Sequence, residues 1–267
     1  YLKRYDSATI VIKLGGAAMS NIDNLSSFAR DIVLMKQCKV NPIIIHGGGP
    51  MINSALEKWG INFNFIDGKR VTDENAVKIV EMVLSGDLNK TIVSSINSQG
   101  GNGVGISGKD ASLVICEKDD PKLGFVGKPT LINTRLITTL VENDFIPVIS
   151  PIGTNESGET FNINADTMAG SIASALKADR LLLLTDVSGV KDKNDEKIEK
   201  ASLKEIKNLI NQNIIKDGMI PKVNTAIDAI LKGVRAVVIL DGSIQNACLL
   251  ELFTDHGVGT LIREEID

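Results

Sequence analysis

Two lysines far apart in the chain sit where a charge needs a reason. Lys13 closes a β-branched run, Thr9, Ile10, Val11 and Ile12, and is followed after one leucine by Gly15 and Gly16. A buried strand that ends in a cation and paired glycines, with a helical pattern from about Leu25, is the arrangement of a phosphate site at the open end of a parallel sheet. The same pattern also suits a strand ending at a snorkelling lysine and a flexible turn. Lys222 follows Gly218 and Pro221 and opens a helical pattern over 223–232. A positive charge at a helix amino end is mildly unfavourable; an anionic ligand nearby would explain it, and a plain surface lysine is the other reading. A second glycine turn, Gly47, Gly48 and Gly49, follows the buried run Ile43–Ile45 and His46. Three glycines stabilise neither strand nor helix, but they let backbone N–H groups point at an anion near a helix start; a tight turn needing positive φ is the alternative. Asn162, Asn164 and Asp166, in FNINAD, can bind substrate, orient the lysines, or in the case of Asp166 cap the following helix.

Other motifs carry less. Gly103–Gly108 matches G-x-G-x-x-G, and the stretch to Asp110 approaches a Walker A. A dinucleotide loop must open a helix, whereas residues 111–116 read as strand. Lys109 is followed by Asp110 rather than Ser or Thr. A glycine-rich hairpin near the substrate pocket is the better description. His46 has no Ser, Cys or carboxylate partner in the sequence, so no triad is indicated, and no His, Cys or carboxylate cluster has metal spacing.

These residues need a scaffold to bring them together. Strand–glycine–helix units repeat within about forty residues of each other, the pattern of a parallel sheet with helices on both faces. Phe63, Phe65 and Ile66, then Asp67 and Gly68, read as a hairpin arm. Thr72 reads as the cap of a helix over Asn75–Leu84, with another helix over Asn89–Ser98. Asp119–Pro129 reads as loop and edge, residues 131–142 as helix, and Ile146–Ile149 as strand. A helix over Thr167–Leu176, the buried runs Leu181–Leu184 and Ala236–Leu240, and a charged loop over Lys191–Lys200 complete the pattern. The expectation is an α/β open αβα sandwich with a mostly parallel central sheet, divided into lobes at 1–175 and 176–267.

The chain has 267 residues, is 43% hydrophobic and 23% charged, and has a net charge of −4. This is ordinary globular composition, with no electrostatic reason to expect nucleic acid or an anionic membrane as partner. Cys38, Cys116 and Cys248 are scattered, which suggests reduced thiols in a reducing compartment. No apolar run is long enough to span a bilayer and no signal peptide is visible, so the expected location is cytoplasmic. The chain begins at Tyr1, which leaves room for an upstream segment.

Taken together, IKLGG (Ile12–Gly16), HGGGP (His46–Pro50), GKRVTD (Gly68–Asp73), GISGKD (Gly105–Asp110), FNINAD (Phe161–Asp166), LLTDVSGV (Leu183–Val190), GMIPKV (Gly218–Val223) and GVGT (Gly257–Thr260) resemble the amino-acid kinase family in order and over nearly the whole chain. Within that family they resemble the branch that phosphorylates N-acetyl-L-glutamate. The resemblance implies a carbamate kinase-like fold and ATP-dependent phosphorylation of the γ-carboxylate of N-acetyl-L-glutamate in arginine biosynthesis. It implies that Lys13 and Lys222 stabilise the phosphoryl group in flight and that Asp166 holds both. Gly15, Gly16, Gly47 and Gly48 would offer N–H groups to phosphate oxygens, Gly47 and Gly48 also bordering the acyl amino acid. Arg70, with Asn162 and Asn164, would hold the substrate. Asp186, Val187, Ser188, Gly189, Val190 and Lys191, with Ile214, Ile215 and Lys216, would line the ATP site. The first lobe would bind acetylglutamate and form a dimer; the second would bind ATP, with Mg²⁺ carried by its phosphates.

The chemistry is consistent with those roles. A carboxylate acceptor is already ionised at pH 7 and needs no general base, while two anions must be brought together by cations and aligned amides. Lys69 departs from the apolar residue the family usually places before the arginine; facing the pocket it would alter acyl-group preference, and facing outward it would not. Arginine-inhibited hexameric members carry an extra amino-terminal helix and a glutamate six residues before a glycine. Glu251 and Gly257 fit that spacing, and Tyr1–Tyr5 could end such a helix. This implies at least a homodimer, a hexamer built as a trimer of dimers, and arginine as candidate effector. The rival readings are a same-fold kinase acting on aspartate, glutamate or aminoadipate, and a non-catalytic arginine sensor that binds nucleotide.

Overall fold

The computed structural model describes residues 5–16, 19, 21–66 and 68–265. Along the chain run β1 (Thr9–Leu14), α1 (Ile22–Gln37), β2 (Asn41–His46), α2 (Gly49–Lys58), the short strands β3 (Phe65–Ile66) and β4 (Lys69–Arg70), α3 (Glu74–Glu81), a π-helical segment Met82–Leu88 and α4 (Asn89–Ser98). Then follow β5 (Gly103–Ser107), β6 (Val114–Lys118), β7 (Gly127–Ile132), α5 (Arg135–Glu142), β8 (Ile146–Ser150), β9 (Ile152–Thr154), β10 (Thr160–Asn162) and α6 (Ala165–Leu176). The last third holds β11 (Arg180–Thr185), β12 (Lys200–Ser202), α7 (Leu203–Asn211), α8 (Met219–Leu231), β13 (Val237–Asp241), α9 (Ala247–Phe253) and β14 (Thr260–Arg263).

Eight strands form one sheet in the order β12-β14-β13-β11-β1-β2-β8-β5. All neighbours are parallel except β13 and β14. Side-chain alternation sends the two faces of each central strand into different cores. Val11, Ile43, Ile45, Leu181 and Leu183 join Met168 and Ile172 of α6 and Val223 of α8 on one side. Ile10, Ile12, Ile44 and Leu182 join Phe28 and Ile32 of α1, Ile92 of α4 and Leu252 of α9 on the other. The mostly parallel αβα sandwich expected from the sequence is therefore present. The proposed lobe boundary falls between β11 and β1, which pair in register inside the same sheet, so both segments share one continuous sheet and the core on each of its faces.

Several local expectations are corrected. Thr72 is not the helix cap: it is fully buried, its hydroxyl donates to the Arg70 carbonyl, and Asp73 accepts from Asn75 N and Ala76 N instead. The helix expected over Asn75–Leu84 changes to a π turn after Glu81. Residues 131 and 132 end strand β7, which pairs with β6 in a second sheet of order β10-β9-β6-β7; helix begins only at Arg135. Helix α8 starts at Met219, so Lys222 lies inside its first turn. Pro221 does not stop it, because a proline this early removes an N–H that has no intrahelical partner. Tyr1–Arg4, most of the expected amino-terminal tail, lie outside the described residues, as does Asp67 of the hairpin turn.

Candidate active site

Parallel strands bring their carboxyl ends to one edge, so the loops after β1, β2 and β11 meet there. Lys13 projects from the penultimate position of β1 and pairs with Asp166 at 2.9 Å, both side chains being nearly seven-eighths buried. The contact is an ion pair by distance rather than an aligned hydrogen bond. Asp166 is free for it because Asn164 caps α6, accepting from Thr167 N at 3.0 Å. Capping, one of the roles open to Asp166 from sequence, therefore belongs to Asn164.

Lys222 does not join that pair. Its Nζ donates to the Gly218 carbonyl at 3.2 Å, and no contact between Lys222 and Asp166 occurs among the described residues, against the expectation that Asp166 holds both lysines. The carboxylate that senses both is Asp186, after β11. The Thr185 hydroxyl (3.0 Å) is the main cause holding its pKa below the ordinary range, and its own backbone N–H, Lys222 and Lys13 add to the effect. The Lys13–Asp166 pair and Asp186 therefore lie at the sheet edge within electrostatic reach of Lys222, an arrangement suited to a migrating anion.

The glycine turn supplies donors, though not all those expected. Gly47 N donates to the Leu14 carbonyl at 2.9 Å, so Gly47 does not offer its N–H to a ligand. Gly48 and Gly49 open α2 without a side-chain cap, and their N–H groups are among those a helix start leaves unpaired. Space at Gly48 is tight: a Cβ there would lie 2.5 Å from Leu88 Cδ1 and 2.7 Å from Leu84 Cδ2, so both leucine ends would have to move.

Beside this turn is a cavity of about 180 Å³ lined by Gly47–Gly49, Arg70, Asn162 and Asn164, among others. It gathers the residues expected to bind substrate. The Arg70 guanidinium lies against two mutually perpendicular rings, those of Phe63 and Phe65, 4.8 and 4.7 Å from their centroids. Its Nη2 donates to Asn53 Oδ1 and to the Gly49 carbonyl, while Nη1 is buried without a partner. Burial lowers the pKa of Arg70. Nothing in the sequence marked Asn53, or Phe63 and Phe65 as the rings beside the arginine; only their hairpin was legible. Asn162 Nδ2 reaches the Thr72 hydroxyl. Lys69 also borders the cavity but pairs with Asp119, which holds its ammonium outside the arginine's cage.

Of the residues expected to line ATP, Asp186–Lys191 form the loop after β11. Val190 is buried in the same core as Ile215, and Val190 N is held by the Thr260 hydroxyl at 2.8 Å. Lys191 pairs with Asp195. Ile214 N and Ile215 N share the Leu209 carbonyl beyond α7, and Lys216 is exposed. Gly15 and Gly16 follow β1 directly. Among the described residues no three His, Cys, Asp or Glu side chains converge as a metal cage.

Comparison with known proteins follows the same lines. The amino acid kinase family model matches residues 8–241. The chain belongs to the amino acid kinase family. Relatives include acetylglutamate kinases of Ruegeria pomeroyi, 58% identical over 99% of this chain and 92% of that protein, and of Dinoroseobacter shibae, 57% identical over 98% and 92%. A solved N-acetylglutamate synthase from Neisseria gonorrhoeae superimposes with a TM-score of 0.89 at 24% identity, over 100% of this chain and 62% of that longer one. Carbamate kinase from Giardia lamblia bound to AMP-PNP gives 0.73 at 20% identity, over 97% and 99%. At these identities the structural likeness speaks for the amino acid kinase fold alone.

His46, which the family motif places before the glycine turn, is fully buried. Burial is the main cause lowering its pKa from 6.5 to about 4, assisted by Lys90 and opposed by the Gly47 carbonyl. A depressed histidine pKa contributes stability that is complete above pH 6.5 and lost as pH falls toward 4. Asp31, raised to about 6 chiefly by burial, works with the opposite sign, favouring the fold as pH falls from 6 toward 3.8. Between pH 7 and pH 5 the two contribute a loss of about 2 and a gain of about 1 kcal/mol. Urea unfolding of Asp31→Asn beside the parent at both pH values is expected to show the variant losing about 1 kcal/mol more stability. Equal losses would refute the assignment.

Proposed function

We propose that this chain transfers the γ-phosphoryl group of ATP to the γ-carboxylate of N-acetyl-L-glutamate, forming the acyl phosphate of arginine biosynthesis. The observation that carries the reading is the cavity that sets a buried, incompletely partnered Arg70 fork against an uncapped glycine turn, in a chain 58% identical to a protein named for this reaction. Arg70 pairs with the substrate α-carboxylate, its planar fork matching two oxygens. The γ-carboxylate then lies toward the glycine turn and Lys13. It is ionised at neutral pH and attacks directly, so the neutral, buried His46 is not needed as a base.

Catalysis in this reading is positioning and charge stabilisation. Lys13, held by Asp166, and Lys222, on α8, neutralise the oxygens of the migrating group from two sides, and the Gly48 and Gly49 N–H groups add donors. Asp186, Val187, Ser188, Gly189, Val190 and Lys191, with Ile214, Ile215 and Lys216, hold the nucleotide. Charge on the ATP phosphates would be offset by Mg²⁺ that they carry themselves, which asks no all-protein cage of the chain. The segment 1–175 binds the acceptor and 176–267 the nucleotide.

Arginine as effector rests on a second cavity, of about 250 Å³, bordered by Tyr5, Arg180, Glu251, His256 and Gly257. Glu251 Oε2 accepts from Val258 N and Gly259 N, and Gly257, at φ +62°, would bring a Cβ within 2.6 Å of that oxygen. The Glu–Gly spacing therefore builds the turn as well as the cavity wall. We also infer a hexamer built as a trimer of dimers, in the cytoplasm. No helix among the described residues is long and apolar enough to cross a membrane.

Steady-state ADP release across N-acetyl-L-glutamate, glutamate, aspartate and 2-aminoadipate tests the reading. N-acetyl-L-glutamate is expected to give the highest kcat/KM by at least tenfold, and preference for any other acceptor would overturn it.

A further inference from the structure

The residues beneath the glycine turn form a chain of hydrogen bonds that neither the reaction nor the family comparison accounts for. Asn89 is fully buried although it is polar. It sits at the first position of α4, directly after the π-helical segment Met82–Leu88. The two hydrogens of its Nδ2 are shared among the Val148 carbonyl at 2.9 Å, His46 Nε2 at 3.3 Å and the Ile106 carbonyl at 3.4 Å. Its Oδ1 accepts from Lys90 Nζ at 3.1 Å. The amide orientation follows: reversed, its oxygen would face two backbone carbonyls, and its nitrogen would face an ammonium.

That orientation determines the histidine. A donor on Nε2 requires Nε2 to be the unprotonated nitrogen, so the proton resides on Nδ1. His46 Nδ1 lies 2.9 Å from the Gly47 carbonyl and donates to it. The carbonyl of Gly47 and the N–H of Gly48 belong to one trans peptide and point to opposite sides of it. Fixing the carbonyl on the histidine therefore fixes the direction of the Gly48 N–H. The same peptide is pressed from α2's other flank by Leu84 and Leu88 of the π segment, whose ends would have to move to admit a side chain at Gly48. Wide turns of this kind recur at functional sites.

The glycine-rich stretch after α4 also finds its use here. A Cβ at Gly105 would overlap Asn89 Oδ1 and come within 2.6 Å of Lys90 Nζ. The motif that looks like a nucleotide loop is thus strand β5, stripped of a side chain where the buried amide lies.

We propose that Asn89 and His46 are positioning residues for phosphoryl transfer: Asn89 fixes the tautomer of His46, and His46 clamps the Gly47–Gly48 peptide so that the Gly48 N–H faces the transferring group. This deepens the proposed kinase reading and rests on it for its kinetic part. The hydrogen-bond part can be read without any substrate.

Histidine-selective ¹⁵N NMR of the full chain provides that first measurement. The sequence has two histidines, His46 and His256, so comparison with His46→Asn assigns both. The parent is expected to show His46 at neutral pH as the Nδ1–H tautomer; an Nε2–H tautomer or an imidazolium overturns the proposal with no variant needed. In Asn89→Asp the carboxylate accepts from Nε2 and cannot donate, so His46 is expected to move to the imidazolium or the Nε2–H form. An unchanged ring in that variant would also overturn it.

Kinetics supply the second arm. Asparagine places its amide nitrogen near the position of Nδ1, and glutamine near that of Nε2. His46→Asn is expected to keep kcat within about fivefold of the parent. His46→Gln is expected to lose roughly 10- to 100-fold in kcat, the scale of weakening one oxyanion donor, with both KM values within threefold. Equal kcat in the two variants refutes the clamp. A parent that does not phosphorylate N-acetyl-L-glutamate refutes the functional reading instead, while the NMR arm still decides the tautomer.

Discussion

Lys222→Ala is expected to lower kcat by roughly 10²–10³-fold while leaving both KM values within a few-fold and the urea midpoint unchanged. The magnitude is that of deleting one preorganised charge donor from a transition state, about 2–4 kcal/mol. The split between kcat and KM follows from what Lys222 touches. In the free protein its Nζ rests on the Gly218 carbonyl, a backbone partner from its own turn, and it makes no carboxylate contact among the described residues. Apart from its pull on Asp186, its charge is free to meet the negative charge of the migrating group, and only interactions stronger in the transition state than in the ground state raise kcat.

Lys13→Ala separates the two lysines. A comparable loss of kcat is expected, but with a lowered urea midpoint, because Asp166 is left mostly buried with its 2.9 Å partner removed and a stranded buried carboxylate is costly. Steady-state kinetics and urea titrations on both variants decide the matter. A Lys222→Ala enzyme with kcat within threefold of the parent would remove the lysine clamp from the mechanism.

The contrast between the lysines also shows what the sequence could reveal. Lys13 was legible because a charge ending Thr9–Ile12 contradicts the strand that precedes it, and that contradiction is local. The division of Val11 from Ile10 and Ile12 between two cores was not, because an unbroken apolar run carries no alternation. Asp166 was partly legible: its freedom to pair depends on Asn164 taking the cap, and both residues suit that position. The error at Thr72 is of the same kind, since Thr72 and Asp73 are both good caps and only the depth of burial selects between them. Asn89 could not be read at all. An asparagine opening a helical pattern suggests a cap, and nothing in Met82–Leu88 announces the π turn before it. Its partners, His46, Ile106 and Val148, lie on three strands that become neighbours only in the sheet. The amide of Gly47 was misassigned because glycine runs advertise accessible N–H groups without saying which of them the scaffold already uses, here on Leu14.

Arg70→Lys is expected to raise KM for N-acetyl-L-glutamate by roughly 10²-fold, with KM for ATP unchanged and kcat at saturation reduced less than tenfold. Charge is conserved in this variant, so the loss measures geometry. The guanidinium lies against the perpendicular rings of Phe63 and Phe65, 4.8 and 4.7 Å from their centroids, while Asn53 and the Gly49 carbonyl hold Nη2. Nη1 remains buried and unpartnered, an arrangement that costs free energy until an acceptor arrives. A carboxylate satisfies it and completes the fork. An ammonium cannot reproduce two parallel donors, and losing one charge-assisted hydrogen bond with part of the contact to the rings amounts to about 2–3 kcal/mol. The α-carboxylate is remote from the bond being made, so this binding energy is shared by ground and transition states and appears mainly in KM. Asn53→Ala should move KM in the same direction by a smaller factor, since it releases Nη2 without removing it. If Arg70→Lys left KM for N-acetyl-L-glutamate within threefold of the parent, the cavity beside the glycine turn would not be the acceptor site, and the assignment of Arg70, Asn162 and Asn164 would fall with it.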